Sequence, residues 1–160
     1  MLSEDTFRNL MAGVCGPVTI VTTTDGQVPF GVTVSSFASL SLAPPMISVA
    51  LDHRSGLLPA ILSTERFGVN VLGSDHDRIA ITFAQRGADR FASVPWQLDN
   101  DLPRLTDAPG WLACHLHQAI DAGDHILLLG EVKAAETRTA APLVYGYRTF
   151  GTHSAYANRP

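Results

Sequence analysis

Near the N-terminus, apolar residues recur with the period of an α-helix. Their spacing of i, i+3, i+4 and i+7 places them on one helical face. The residues of this face are Phe7, Leu10, Met11 and Val14. Ser3 is a suitable N-cap, because its hydroxyl can accept a hydrogen bond from an N–H group of the first turn. We therefore predict a short amphipathic helix that Gly13 and Gly16-Pro17 end.

After this helix the composition becomes typical of β-strands. The segment Val18–Thr23 is rich in β-branched residues, and Asp25-Gly26 is a hairpin turn signal. A second turn, at residues 121–124, joins two later segments as a hairpin. The predicted strands are Val18–Thr23, Val28–Val34, Met46–Leu51, Phe67–Leu72, Trp111–Ile120, His125–Thr137 and Leu143–Phe150. Six or seven strands with hairpin connections favour a mainly β fold, an antiparallel β-barrel with a few helices.

Helical segments interrupt this series of strands. Residues 55–62 can form one or two helical turns. Ser74 is predicted to cap a further helix, whose apolar face includes Ile79 and Phe83. Residues 84–110 contain several glycines and prolines, and we predict a loop there.

Composition and charge narrow the class of protein. The 160 residues correspond to a single domain, 1–160. Hydrophobic residues make up 46% and charged residues only 16%, which excludes a disordered chain. So little charge also suggests that a partner subunit or a ligand covers part of the surface. The net charge of −4, without a basic stripe, argues against nucleic-acid binding.

The sequence shows no targeting or membrane signal. No apolar run reaches the roughly 18 residues that would span a bilayer. The acidic N-terminus lacks the basic and apolar regions of a signal peptide. Cys15 and Cys114 are isolated, so they form neither a disulfide framework nor a zinc motif. We expect a cytoplasmic protein with reduced thiols, without nucleic-acid or membrane partners.

A hydroxyl-rich segment follows the second predicted strand. Its five hydroxyl side chains are Thr33, Ser35, Ser36, Ser39 and Ser41. Hydroxyls and free backbone N–H groups suit contacts to a phosphate, a ribityl chain or the edge of a ring. A polar strand end with hydrogen-bonded turns explains the same composition. The pattern by itself leaves both interpretations open.

Two short polar segments lie at strand ends. His53, Arg54 and Ser55 follow a strand, where a guanidinium and free N–H groups could bind an anion. An ordinary solvated turn would have the same composition. In Gly123-Asp124-His125 the histidine begins a strand, a position that is usually structural. It could also orient a ring or donate a proton near neutral pH.

The sequence offers little support for metal or hydrolytic chemistry. His115 and His117 would share a strand face, but no carboxylate or cysteine at ligand spacing completes a site with them or with His125. We therefore predict no metal. Neither a nucleophile elbow nor a glycine-rich nucleotide motif is present. Few acid–base residues and many hydroxyls fit a protein in which a cofactor carries the chemistry.

Seven segments occur in an order and spacing that match a known family. They are TVSSFASLSLAPPM at 33–46, RFGVNVL at 66–72, ITFAQR at 81–86, DRF at 89–91, GDH at 123–125, GEV at 130–132 and PLVY at 142–145. Together they resemble the flavin reductase-like family of short-chain NAD(P)H:flavin oxidoreductases, from about residue 7 to residue 153.

This resemblance implies a fold, cofactors and partners. The family fold is a split β-barrel of Greek-key type that binds FMN or FAD and forms homodimers. Such enzymes reduce flavin by hydride transfer from NADH or NADPH, and many supply the reduced flavin to a monooxygenase on a separate chain. Two alternatives are a flavin-binding split barrel with an electron-transfer or oxidase-like role, and a haem- or metal-binding split barrel.

The resemblance also implies roles for individual residues. The residues implied to bind flavin are Thr33, Val34, Ser35, Ser36, Phe37, Ser39, Leu40, His53, Arg54, Ser55, Phe83 and Ala84. His125 is implied to be the catalytic residue that contacts the nicotinamide. Tyr147 and Arg148 are implied to bind the pyridine nucleotide, although this sequence departs from the family's Tyr-Arg-Gly-x-Tyr pattern there. Family members often have lysine where His53 stands.

Overall fold

The computed structural model describes residues 1–87 and 89–158. Within these ranges the strands are β1 Gly16–Pro17, β2 Thr19–Thr24, β3 Pro29–Val34, β4 Ala38–Leu42, β5 Pro45–Asp52, β6 Arg66–Val71, β7 Trp96–Asp99, β8 Leu102–Leu105, β9 Gly110–Ala122, β10 His125–Thr137, β11 Val144–Gly146 and β12 Thr149–Gly151. The helices are α1 Glu4–Ala12, α2 Leu57–Thr64, α3 Asp77–Ala84 and a 3₁₀ turn, Ser154–Tyr156. The prediction of a mainly β fold is confirmed.

Seven antiparallel strands form the main sheet, in the order β3-β2-β6-β9-β10-β5-β4. Its centre is the long β9–β10 hairpin, which two register shifts interrupt. Such bulges increase the local twist of a sheet and bend its strands. In the described residues the strand order is open, with β3 and β4 at its two ends. Closure into a barrel is therefore not seen in the hydrogen-bonded pairing.

Strand β2 shows how a threonine-rich segment can lie in the core. Its threonines at positions 19, 22 and 23 are buried, and each hydroxyl has a partner. The Thr19 hydroxyl donates to the Val34 carbonyl at 2.7 Å, and the Thr22 hydroxyl donates to the Pro103 carbonyl at 2.6 Å. Because a buried hydroxyl without a partner is costly, these bonds make the strand compatible with burial.

Helices α2 and α3 pack against the sheet and carry the loops of the candidate site. Leu57, Leu58 and Ile61 of α2 join a core cluster with Phe67 of β6. Helix α3 approaches β3 closely at Gly31, where a Cβ atom would lie 2.8 Å from the Phe83 ring. Glycine at this position therefore allows α3 to lie against the strand.

The third predicted helix begins later than expected. Ser74 is not its cap: the Ser74 N–H donates to the Ala141 carbonyl at 2.8 Å, next to a bridge between Gly73 and Pro142. Residues 74 and 75 form a turn closed by a 3.0 Å hydrogen bond from the His76 N–H to the Gly73 carbonyl, and α3 starts after His76, which is its N-cap. A pairing with a distant segment thus overrides a local capping signal.

Two segments in the C-terminal half of the chain differ from the structure predicted for them. The predicted loop 84–110 contains the β7–β8 hairpin, whose turn residues Asn100 and Asp101 both have positive φ, as a tight hairpin turn requires. The predicted strand 143–150 is a second hairpin, β11–β12. There Tyr147 and Arg148 adopt positive φ, which reverses the chain.

Helix α1 is confirmed, but its apolar face is not covered. Ser3 is its N-cap and accepts a hydrogen bond from the Thr6 N–H at 3.1 Å, and Gly13 ends the helix. The apolar residues Phe7, Leu10, Met11 and Val14 are all exposed. An apolar stripe without intramolecular cover is typical of a surface that binds something else.

Burial sets the chemistry of one of the two cysteines. Cys114 lies in the core on β9, and desolvation raises the pKa of its thiol to about 12. Cys15 is exposed. In residues 1–87 and 89–158 the longest α-helix has nine residues, far short of a bilayer span.

Candidate functional site

Three adjoining cavities lie beside β3 and the C-terminal end of β5. The central cavity, about 280 Å³, is lined by Thr33, Ser35, Ser36, Asp52, Ser55 and His125, among others. The arginine cavity, about 480 Å³, shares Val32, Asp52 and Ser55 with it and adds Arg54, Arg86 and Arg90. The helix cavity, about 670 Å³, shares Ser35 and Ser36 with it and extends under α1. The shared residues place the three cavities next to one another, and together they are called the groove.

The hydroxyls of the central cavity are partly committed to the fold. Ser36 bridges to β5, since its hydroxyl donates to the Ala50 carbonyl at 3.0 Å and accepts from the Ala50 N–H at 2.9 Å. The Thr33 hydroxyl donates to the Ala80 carbonyl of α3 at 2.6 Å. These bonds fix the wall of the cavity. The structure thus agrees with both interpretations of this segment. It is a hydrogen-bonded strand end, and it also lines a cavity.

Asp52 and Arg54 form a rigid unit beside the central cavity. The Arg54 guanidinium donates two hydrogen bonds to the Asp52 carboxylate, at 3.0 and 2.7 Å, and the Arg54 N–H donates a third at 2.7 Å. These bonds hold the pKa of Asp52 well below its usual range. Because two of the guanidinium's donors are engaged, its others remain available for a ligand in the arginine cavity.

His53 lies on the other side of this turn. Its Nε2 donates to the Gly123 carbonyl at 3.2 Å and lies 3.1 Å from an Asp121 carboxylate oxygen. It therefore joins the turn after β5 to the β9–β10 turn. His53 is not among the lining residues of the three cavities.

Two arginines that sequence reasoning did not select also border the groove. Arg86 is exposed and makes no hydrogen bond or ion pair within the described part of the chain. Arg90 is half-buried and donates to the carbonyls of Gly31, at 2.6 Å, and Gln85, at 2.9 Å from Nε. Both lie in motifs of the resemblance, at 81–86 and 89–91, and two arginines around Gly87 after a helix are the signal that could have identified them.

His125 begins β10 and lines the central cavity. Its Nδ1 lies 2.6 Å from a carboxylate oxygen of Asp124, and this hydrogen bond lowers the pKa of Asp124. The contact orients the imidazole ring and leaves Nε2 as its second polar atom. Strand pairing places His125 directly opposite Asp52.

The β11–β12 turn borders the helix cavity. Arg148 lines it together with Phe37 and Cys15. The Tyr147 N–H donates to the Ala12 carbonyl at 2.6 Å, and the Tyr147 hydroxyl lies close to Gly13. The turn is thus attached to the end of α1, and its positive φ values are held by that contact.

The remaining predicted residues lie outside the groove or in its wall. Val34 and Phe83 are buried, and the Phe83 ring packs edge-on against Phe91 at 5.0 Å. Ala84, at the end of α3, lines the arginine cavity. Ser39 and Leu40 are exposed on β4, the outermost strand of the sheet.

The groove suits an elongated, polar ligand with an anionic group. It offers hydroxyls at Ser35 and Ser36, cationic side chains at Arg54 and Arg86, and an imidazole at His125. Guanidinium groups and backbone N–H groups are common phosphate partners. In the described residues, no three His, Cys, Asp or Glu side chains cluster as metal ligands.

Comparison with known proteins assigns this chain to a family. The model of the flavin reductase like domain matches residues 11–154. The reductase component of a 4-nitrophenol 4-monooxygenase/4-nitrocatechol 2-monooxygenase from Rhodococcus opacus is 37% identical over 157 residues, covering 98% of this chain and 85% of that protein. An FMN reductase (NADH) from Agrobacterium fabrum is 36% identical over 152 residues, covering 92% and 85%.

A solved structure agrees with the sequence comparisons. An NADH:FAD oxidoreductase from Streptomyces globisporus C-1027, in complex with NAD and FAD fragments, superposes with a TM-score of 0.91 at 27% identity, covering 98% of this chain and 96% of that one. The resemblance predicted from the seven sequence segments is confirmed. With a family match over most of its length and relatives of this identity, the chain belongs to the flavin reductase-like family.

Proposed function

We propose that this chain is an NAD(P)H:flavin oxidoreductase that supplies reduced flavin to a monooxygenase on a separate chain. The observation that carries the proposal is the groove, which brings hydroxyls, arginines and His125 together beside β3 and the C-terminal end of β5. The relatives described above are named as flavin reductases or reductase components, which supports the same activity.

The chain's residues would bind and orient two ligands side by side. The walls at Ser35 and Ser36 would hold the flavin ring and ribityl chain, and Arg54, Ser55 and Arg86 would hold its phosphate. When bound, the flavin supplies the hydride acceptor for the reduced nicotinamide. His125 would orient the nicotinamide, and Arg148 would contact its nucleotide. The protein's contribution is mainly proximity, because the reaction needs no protein acid or base in the transfer itself.

Steady-state oxidation of NADH and NADPH tests the proposed activity. The purified chain is mixed with each nucleotide and with FMN, FAD or riboflavin, and the nicotinamide absorbance band is followed over time. We expect flavin-dependent oxidation with at least one pair. Absence of oxidation with every pair contradicts the reductase. If no oxidation is seen and the purified chain still carries bound flavin, the electron-transfer or oxidase-like alternative is favoured.

We further propose the finer features of the family for this chain. They are a single domain over residues 1–160, a split-barrel curvature of the main sheet, a cytoplasmic location and a homodimer. Support for the dimer comes from apolar side chains that the protomer leaves exposed on α1, β4 and β9, with Leu42 at 95% exposure. Such side chains on a lightly charged protein suit an interface with a second copy.

The dimer predicts the behaviour of one surface variant. Sedimentation equilibrium should give about twice the 17.1 kDa protomer mass for the unaltered chain. Leu10→Asp, on the exposed face of α1, should shift the protein to the protomer mass, because burying an unpaired charge is costly. Leu98→Asp, exposed on β7, is the matched control and should remain dimeric. A protomer mass for the unaltered chain at all concentrations would contradict the dimer.

A further inference from the structure

A fourth cavity extends the groove beyond the proposed phosphate site. This aromatic cavity, about 550 Å³, is lined by Phe30, Asp89, Arg90, Phe91, Ala92 and Trp96, among others. From its position and lining we infer that it binds the adenine half of a flavin dinucleotide, so that this chain takes FAD in preference to FMN. The inference rests on the proposed function, since it extends the same flavin groove.

The aromatic cavity adjoins the arginine cavity. The two share Phe30, Gly31, Gly87 and Arg90. A ligand whose phosphate lies at Arg54 and Arg86 therefore has the aromatic cavity next to it. FMN ends at that phosphate, whereas FAD continues through a second phosphate and a ribose to an adenine ring.

The lining of the aromatic cavity suits a flat ring. Phe30, Phe91 and Trp96 contribute aromatic surface, and the rings of Phe91 and Trp96 contact each other edge-on at 5.3 Å. Phe91 in turn packs on the buried ring of Phe83. Trp96 is 37% exposed, so part of its ring remains accessible. Stacking on an aromatic side chain is the general way in which proteins hold a nucleobase without sequence-specific contacts.

Charged groups at the junction fit the linking diphosphate and the sugar. Arg90 lines both cavities, and its bonds to the carbonyls of Gly31 and Gln85 fix the guanidinium at that point. The Arg90 guanidinium has five N–H donors in total, so further ones can face a phosphate. Asp89 lines the aromatic cavity, where its carboxylate can accept hydrogen bonds from ribose hydroxyls or an amino group.

An adenine could also come from the pyridine nucleotide, and the layout favours FAD. His125 and Arg148, the groups proposed to contact the pyridine nucleotide, line the central and helix cavities. The aromatic cavity adjoins the arginine cavity, on the side of the proposed flavin phosphate. A flavin dinucleotide thus reaches it along the groove without crossing the nicotinamide position.

Calorimetric titration of the full chain with FAD and with FMN tests this inference independently of turnover. We expect FAD to bind about tenfold more tightly than FMN, the effect of stacking one base on an aromatic ring. Trp96→Ala should remove that preference and leave the FMN affinity unchanged. Leu98→Ala, two residues along the same strand and 60% exposed, is the matched control and should keep it. Ala92→Trp, which fills the cavity from an exposed position, should also remove the preference.

Three results would overturn the inference. The first is equal affinity of the unaltered chain for FAD and FMN. The second is an equal loss of both affinities in the Trp96→Ala and Ala92→Trp variants. The third is a raised KM for NADH in these variants with unchanged FAD affinity, which would assign the cavity to the pyridine nucleotide. A chain that prefers FAD but oxidises no NADH would instead contradict the proposed reductase activity and uphold this inference.

Discussion

The His125→Ala variant is expected to lose about 10²-fold in kcat/KM for the reduced nicotinamide nucleotide, the typical effect of a misplaced reactant. The physical reason is the position of the ring in the central cavity, oriented by the 2.6 Å contact between Nδ1 and Asp124. Without the imidazole, the nicotinamide loses a wall that restricts its approach. The measurement is steady-state oxidation of NADH and NADPH at saturating flavin.

Flavin affinity separates this role from a general loss of structure. In His125→Ala we expect the flavin Kd to change by no more than about twofold, less than 1 kcal/mol. Asp124→Asn keeps the ring but weakens its orientation, and should show a smaller loss in kcat/KM. His117→Ala, an exposed histidine on β9 outside the described cavities, is the matched control and should retain activity. A loss confined to flavin binding would assign His125 to the flavin instead.

The Phe67→Ala variant is expected to lower the free energy of unfolding by about 3–5 kcal/mol, the range for removal of a buried aromatic ring. Phe67 is fully buried on β6, in the core cluster beneath α2. Its ring lies against Gly130 of β10, where a Cβ atom would be only 2.5 Å away. The ring thus joins two strands of the main sheet, and its removal leaves a cavity between them. Urea unfolding followed by circular dichroism measures the loss.

The contact between Phe67 and Gly130 can be tested by changing either residue. Gly130→Ala should also destabilise the protein, by about 1–3 kcal/mol, because the added methyl group has no space. In the double variant with Phe67→Leu the smaller side chain should relieve part of that loss. Leu98→Ala, exposed on β7, is the control and should change the unfolding free energy by less than about 0.5 kcal/mol. A loss below that value in Phe67→Ala would contradict the core assignment.

Local patterns predicted those elements that short-range interactions determine. The Ser3 cap and the i, i+3, i+4 spacing predicted α1, and alternating or β-branched segments predicted most strands of the main sheet. The predictions were wrong where contacts with other segments of the chain determine the local structure. Ser74 pairs with Ala141 instead of capping α3, and the β7–β8 hairpin occupies a segment that glycine and proline content marked as a loop.

Some residues of the candidate site could be selected from the sequence, and others could not. The hydroxyl-rich segment, Arg54 and His125 were selected because they stand in short polar segments at the ends of predicted strands. Arg86 and Arg90 stand in two of the seven matching segments but were not selected, because an arginine in sequence says nothing about which cavity it faces. His53, which was selected for an anion, bonds to Gly123 and approaches Asp121. Contacts between turns 70 residues apart depend on strand pairing, which a single sequence does not specify.

The sequence alone determined the mainly β class, the opening helix, the small amount of charge and, through ordered motifs, the family. These features follow from side-chain chemistry and from the period with which apolar residues recur, which are properties of short segments. Only the tertiary structure decided that the apolar face of α1 stays exposed, and that the groove continues past Arg90 to Trp96. Exposure and cavity shape arise when distant segments pack together, so they depend on which surfaces meet and not on the local pattern of residues.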